Sequence, residues 1–118
     1  MLGYVNENRA SGEPSVQWHE VETLLSEGWR LVDVRTVGEY SRGAIPGSDL
    51  ITLDELRNHV ESFQGQKVIV TCRVGQRGHT AASILMQHGI EVANLDGGYL
   101  TWQMGTAATT QPELVGAA

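Results

Sequence analysis

Only one cysteine, Cys72, occurs in the 118 residues. A lone thiol cannot close an internal disulfide, so a secreted, disulfide-stapled scaffold is excluded. The first residues, Met1-Leu2-Gly3-Tyr4-Val5-Asn6-Glu7-Asn8, have neither a basic segment nor a long apolar one, and no signal peptide is expected. No stretch approaches the ~20 apolar residues of a spanning helix. A cytoplasmic protein with no membrane role is therefore the expectation. Basic residues are also scarce. Eight Lys and Arg stand against fourteen Asp and Glu, for a net charge of −6. That balance argues against nucleic acid and anionic membrane as partners. There is no Gly-x-Gly-x-x-Gly, so binding of a flavin or nicotinamide by that fingerprint is excluded and no cofactor is expected. His19, His59 and His88 lack ligand spacing, and no metal site is expected. No internal repeat is visible.

What is present suffices for one domain with a real core: 118 residues, 41% of them hydrophobic. Residues 1–14 end in Ala10-Ser11-Gly12-Glu13-Pro14 and read as a linker or the remnant of a preceding segment. Residues 105–118 are small, polar and aperiodic and read as a flexible tail. The domain is expected over 15–104.

Strand and helix signals alternate through it. Val16-Gln17-Trp18, Arg30 to Val34, Asp49-Leu50-Ile51, Lys67 to Thr71 and Glu91 to Leu95 read as five strands. His19 to Glu27, with Val21, Leu24 and Leu25 on one face, reads as a helix closed by Gly28. A helical turn is expected at Glu39-Tyr40-Ser41. Thr52 and Glu55 form a Thr-x-x-Glu capping box ahead of Leu53, Leu56 and Val60. A helix with Ala81, Ile84 and Leu85 on its stripe follows residue 78, and a short one spans Tyr99 to Met104. Such alternation implies an α/β fold: a central, mostly parallel five-stranded sheet with helices on both faces. In such sheets ligands bind beyond the carboxyl ends of the strands. Asp33, Arg35, Cys72 and Asp96 all fall just past strand ends and are expected on one rim.

Cys72 opens a compact loop, Cys72-Arg73-Val74-Gly75-Gln76-Arg77-Gly78, between the most convincing strand and a helix. A thiol is a poor nucleophile until deprotonated. Its pKa of about 8.5 falls to roughly 3.5–7.5 near helix N-termini or basic groups. A helix N-terminus supplies ~0.3–1 kcal/mol to an anion, and one pKa unit is about 1.4 kcal/mol. The dipole alone thus moves the thiol by no more than about a unit. Direct N–H bonds from a glycine-bearing loop must supply the rest. The loop arginine stands at Cys-x4-Arg, with Gly78 at the x5 position, one residue short of the Cys-x5-Arg phosphatase loop. A smaller ring of amides suits one extra sulfur, a persulfide.

These residues resemble the rhodanese, or sulfurtransferase, family. Leu31-Val32-Asp33-Val34-Arg35-Thr36 with Glu39-Tyr40 is similar to its Asp-Val-Arg-x-x-x-Glu-Tyr/Phe segment, and Gly43-Ala44-Ile45-Pro46-Gly47 to its Gly-His-Ile-Pro-Gly segment. Cys72 to Arg77 matches its six-residue active loop, and Leu95-Asp96-Gly97-Gly98-Tyr99 with Trp102 its closing element. The resemblance implies a rhodanese-like fold and a sulfurtransferase with Cys72 as catalytic nucleophile. It would accept sulfane sulfur from thiosulfate, polysulfide or CoA persulfide and pass it to a thiol or cyanide-like acceptor. Arg73, Val74, Gly75, Gln76, Arg77 and Gly78 would bind substrate, the two arginines drawing in an anionic donor. Ala44 departs from the family by replacing its usual histidine. Altered packing near that loop is expected rather than lost catalysis. A narrower similarity, in Val16 to Val21, the Cys72 loop and Leu95 to Tyr99, is to the C-terminal rhodanese domain of CoA-disulfide reductases. It makes a flavin-dependent disulfide or persulfide reductase a candidate partner.

Plainer roles compete at each position. A cysteine after an apolar strand is commonly a small buried hydrophobe. Arg73 and Arg77 are also readable as solvated charges. Asp33 is expected to brace loops, and Arg35 to brace them too or pair with Glu39 at i+4. His79 is expected to face solvent, Trp18, Trp29 and Trp102 to pack, and Asp96-Gly97-Gly98 to turn the chain. Two other function classes stay open. One is a binding or regulatory module without catalysis. The other is a cysteine-dependent phosphatase or arsenate reductase, which the short loop disfavours.

Overall fold

A computed structural model describes residues 6–8 and 13–117, with side chains for 14–107. Its sheet is built from β1 (Asn6–Asn8), β2 (Glu13–Val16), β3 (Arg30–Asp33), β4 (Ser48–Leu50), β5 (Lys67–Thr71) and β6 (Glu91–Leu95), in the order β1-β2-β6-β5-β3-β4. The five strands from β2 to β4 are all parallel, and β1 adds an antiparallel edge against β2. The expected parallel five-stranded sheet is therefore present, with one further strand.

The central strands are apolar on both sides because both sides are covered. In β5, Val68 and Val70 enter one core and Ile69 the other, and β3 splits Val32 from Leu31 in the same way. That is the period-two alternation of a strand, read here with two buried faces. One core lies under α3 (Gln76–Gln87) and a 3₁₀ segment (Leu53–Phe63), which contribute Ala81, Ala82, Leu85, Leu56, Val60 and Phe63. The other lies under α1 (Val21–Ser26), the 3₁₀ turn Trp18–Glu20 before it, and α4 (Gly98–Ala117). Val21, Leu24 and Trp29 fill it, with Trp18, Tyr99 and Trp102 packed against them. A short helix, α2 (Val37–Ser41), links β3 to β4.

Several local expectations change. The segment after Thr52 is 3₁₀ rather than α, and Thr52 makes no side-chain cap. The Glu55 N–H instead reaches the Thr52 carbonyl at 2.9 Å, the i→i+3 bond of that helix type, which removes the need for the cap. A complete capping box forms one helix earlier, between Thr36 and Glu39 at α2. The chain enters α3 at Gln76, three residues before the expected start, because Gly75 adopts a left-handed φ of +112° as its N-cap. Residues 16–18 leave the sheet at Val16, and Trp18 begins a 3₁₀ turn. The last helix does not stop at Met104. The Trp18 ring lies where a side chain at Gly105 would project, so tertiary packing outweighs the weak helix propensity of that glycine. Among the described residues, no helix is long and apolar enough to cross a membrane.

Candidate functional site

Parallel pairing of β3, β5 and β6 sets their carboxyl ends side by side, with Asp33 in register with Thr71 and Val70 with Asn94. Cys72 follows β5 at that rim and is 1% exposed. Its sulfur accepts a hydrogen bond from the Gly75 backbone N–H at 3.0 Å. The left-handed Gly75 turns the chain tightly enough to aim that amide back at the thiol, a conformation that favours glycine. The Gly75 carbonyl in turn accepts from the His79 N–H at 2.9 Å and from Asn94 Nδ2 at 3.2 Å. The loop is thus anchored to α3 and to β6. Gly78 is buried because the Asn94 side chain occupies the space a Cβ would need.

A second clamp holds the far side of the loop. The Tyr99 N–H donates to the Cys72 carbonyl at 2.7 Å and the Leu100 N–H to the Arg73 carbonyl at 3.0 Å. These are first-turn donors of α4, which otherwise lack partners inside their helix. Gly98 makes the approach possible. Its φ is +64°, and a Cβ there would lie 2.5 Å from the Cys72 carbonyl oxygen. That carbonyl is bound to α4, and the sulfur is bound to the Gly75 amide.

Arginine–carboxylate pairs brace the rim. Asp33 and Arg35 form a buried pair, with Arg35 Nη2 to Asp33 Oδ2 at 2.7 Å and Nε to both carboxylate oxygens at 2.9 and 3.0 Å. Arg35 Nη2 also donates to the Gly43 carbonyl at 2.7 Å, and its guanidinium lies 4.4 Å from the Tyr99 ring centre. The expected i+4 contact from Arg35 to Glu39 is therefore replaced by this closer one. Glu39 is taken by Arg77, Nη1 to Oε1 at 2.8 Å and Nη2 to Oε2 at 3.0 Å. The Arg77 bonds, helped by the Thr36 N–H, lower the Glu39 pKa from 4.5 to about 2. The same pair raises that of Arg77, and a charged Cys72 adds to the effect.

The loop residues named from the sequence therefore divide. Cys72, Gly75, Arg77 and Gly78 are held in place by the fold, whereas Arg73, Val74 and Gln76 are exposed. Arg77 is paired with Glu39 and Arg73 has no ion-pair partner among the described residues, so the two arginines expected to draw in a donor stand in different states. A cleft of about 310 Å³ opens beside the loop, lined by Arg35, Glu39, Arg42, Arg73, Tyr99 and Gln103 among others. A larger hollow of about 540 Å³, between Trp18, Leu25, Ile45 and Trp102, has none of residues 72–78 in its wall. Asp96 bonds Gln17 at 3.1 Å, away from the thiol. Among the described residues, no cluster of three His, Cys, Asp or Glu is placed to hold a metal ion. Sequence reasoning missed Asn94 and Arg42, both outside any motif, and missed the task of Glu39, whose place in the Asp-Val-Arg-x-x-x-Glu segment was the available signal.

Residues 17–104 match the family described as "Rhodanese-like domain". The thiosulfate sulfurtransferase GlpE of Pseudoalteromonas translucida is 32% identical over 85 residues, covering 70% of this chain and 81% of the relative. The human thiosulfate:glutathione sulfurtransferase is 30% identical over 109 residues, covering 78% and 95%. Among solved structures, reduced Bacillus anthracis CoADR-RHD superposes with a TM-score of 0.72 at 40% identity, over 84% of this chain but only 17% of that much longer one.

Proposed function

The chain belongs to the rhodanese-like domain family and is a sulfurtransferase of that type; from this premise we propose that Cys72 carries the sulfur as a persulfide between two half-reactions. In the first, the Cys72 thiolate attacks the outer sulfur of thiosulfate or a related sulfane donor. A Cys–S bond to that sulfur forms, its bond to the sulfite sulfur breaks, and sulfite leaves with the electron pair. In the second, an acceptor thiolate attacks the terminal sulfur of the Cys72 persulfide. The acceptor persulfide forms and the Cys72 thiolate returns. Neither step needs an external oxidant or reductant.

The supporting observation is the Gly75 N–H bond to the Cys72 sulfur. A donor 3.0 Å from sulfur stabilises negative charge there, first on the thiolate and then on its persulfide. The α4 clamp adds to it by holding the Cys72 carbonyl to the Tyr99 N–H. Burial of the sulfur shelters the intermediate from stray thiols and oxidants. Thiosulfate and low-molecular-weight thiols are the first donor and acceptor to examine, since the names of the relatives pair them. The similarity to CoADR-RHD makes a CoA persulfide and a flavin-dependent reductase the next.

Intact-mass measurement after exposure to thiosulfate or polysulfide tests the proposal. One added sulfur is expected on the wild type and none on Cys72→Ser. A serine variant that keeps full sulfurtransferase turnover would overturn it.

A further inference from the structure

The cleft beside the Cys72 loop has more positive charge than a loop brace requires. Of the cationic groups at this rim, Arg35 is satisfied by Asp33 and Arg77 by Glu39. Arg42 and Arg73 have no carboxylate within ion-pair distance among the described residues. They come from different elements, the end of α2 and the Cys72 loop, yet line the same cavity. Gln103, one turn into α4 beyond the clamp, adds an amide to its wall. Glu39 lines the cleft too but is held by Arg77, which leaves two arginines without an ion-pair partner among the described residues, in a chain of net charge −6.

The volume is informative as well. About 310 Å³ holds roughly ten waters at ~30 Å³ each. That sits at the low end for small organic ligands. The wall of the cleft adjoins the Cys72 backbone, since Arg73 follows Cys72 in the loop and the Tyr99 N–H donates to the Cys72 carbonyl. A substrate that reacts at Cys72 and extends past Arg73 would lay its remaining atoms here.

We infer that this cleft binds the anionic tail of an organic thiol acceptor, and that Arg42, with Arg73, is a specificity-determining residue selecting carboxylate-bearing thiols over neutral ones. The inference rests on the sulfurtransferase reading of Cys72 and extends it from the reacting sulfur to the substrate body. A guanidinium recognises carboxylate through paired N–H donors, so loss of Arg42 removes both charge and geometry.

The test compares glutathione, dithiothreitol and cysteamine as anionic, neutral and cationic acceptors, with thiosulfate as donor. The readout is the ratio of kcat/KM for glutathione to that for dithiothreitol, which cancels any general loss of activity. Arg42→Ala is expected to lower the ratio about tenfold, the size of one charge-assisted hydrogen bond. Arg42→Lys should recover part of it, and Arg42→Glu should shift preference towards cysteamine. Arg42 is exposed, so these variants should fold. A ratio that stays within twofold in Arg42→Ala and Arg42→Glu, while wild-type Cys72 still takes up sulfur by mass, overturns the cleft assignment alone. If wild-type Cys72 takes up no sulfur, the reading beneath it falls and this inference with it.

Discussion

Two arginine–carboxylate pairs flank the same rim, and they differ in depth rather than in chemistry. Arg35 and Asp33 keep 4% and 0% of their side-chain surface, whereas Arg77 and Glu39 keep 35% and 24%. Both pairs are multidentate. The buried one joins the end of β3 to the Gly43 turn and the Tyr99 ring, so several elements converge on a single guanidinium. The outer one joins α2 to the first turn of α3, next to the glycine that donates to the sulfur. Burial makes the first pair part of the scaffold, because neither charge can be rehydrated once its partner is lost. Solvent makes the second a positional tether of small energetic weight.

The sharpest break of this comparison is Arg35→Ala. It leaves Asp33 buried and uncompensated, with the Gly43 carbonyl unpaired. Removal of one partner from a buried pair costs about 3–5 kcal/mol, a large share of the ~5–15 kcal/mol that holds a domain of this size. Urea unfolding should show the midpoint collapse. A loss below about 1 kcal/mol would mean that water reaches Asp33 and that the two pairs are energetically alike.

The pairs also mark how far the sequence could be read. The parallel sheet, its two faces and the shared rim were legible, because period-two strands alternating with amphipathic helices admit few other arrangements. So was Cys72, since a lone cysteine between a buried strand and a glycine loop is locally marked. Partner choice was not. Glu39 lies four residues from Arg35 and 38 from Arg77, and local spacing favours the nearer. The fold reverses this, because Asp33 beside Arg35 is buried and takes its guanidinium first. The same limit hid Asn94, which meets the loop only through β6 pairing with β5. It also hid the opposite state of the two loop arginines, since Arg77 is paired from α2 while Arg73 opens on the cleft.

A smaller effect, with the opposite signature, is expected from Arg77→Met. Methionine keeps the apolar stem and removes the tether, so stability should change by no more than about 1 kcal/mol. The sulfur loop should suffer more than the fold. Arg77 fixes the first turn of α3, and α3 begins at the Gly75 amide that meets Cys72. A displaced donor weakens charge stabilisation at sulfur, and kcat/KM with thiosulfate should fall about tenfold at nearly unchanged unfolding midpoint. Equal losses of activity and stability would erase the distinction between tether and scaffold.

The least effect, and the most specific to the outer pair, is its dependence on pH. The Arg77 hydrogen bonds, then that from the Thr36 N–H, hold the folded Glu39 pKa at about 2, against 4.5 for the free side chain. A carboxyl group with a depressed folded pKa stabilises the native state fully above its unfolded pKa. That contribution is lost as pH falls through the window between the two values and is absent below about 2. With a quarter to a third of the pair in solvent, screening keeps the gain within about 1 kcal/mol. The other carboxylates titrate in both proteins, so the difference between wild type and Glu39→Gln isolates this group. The stability gap in urea unfolding should be constant from pH 7 to about 5 and close as the pH drops from 4.5 towards 2. A gap that persists unchanged at low pH would show that the glutamate acts there through its capping bonds to Thr36 rather than through its charge on Arg77.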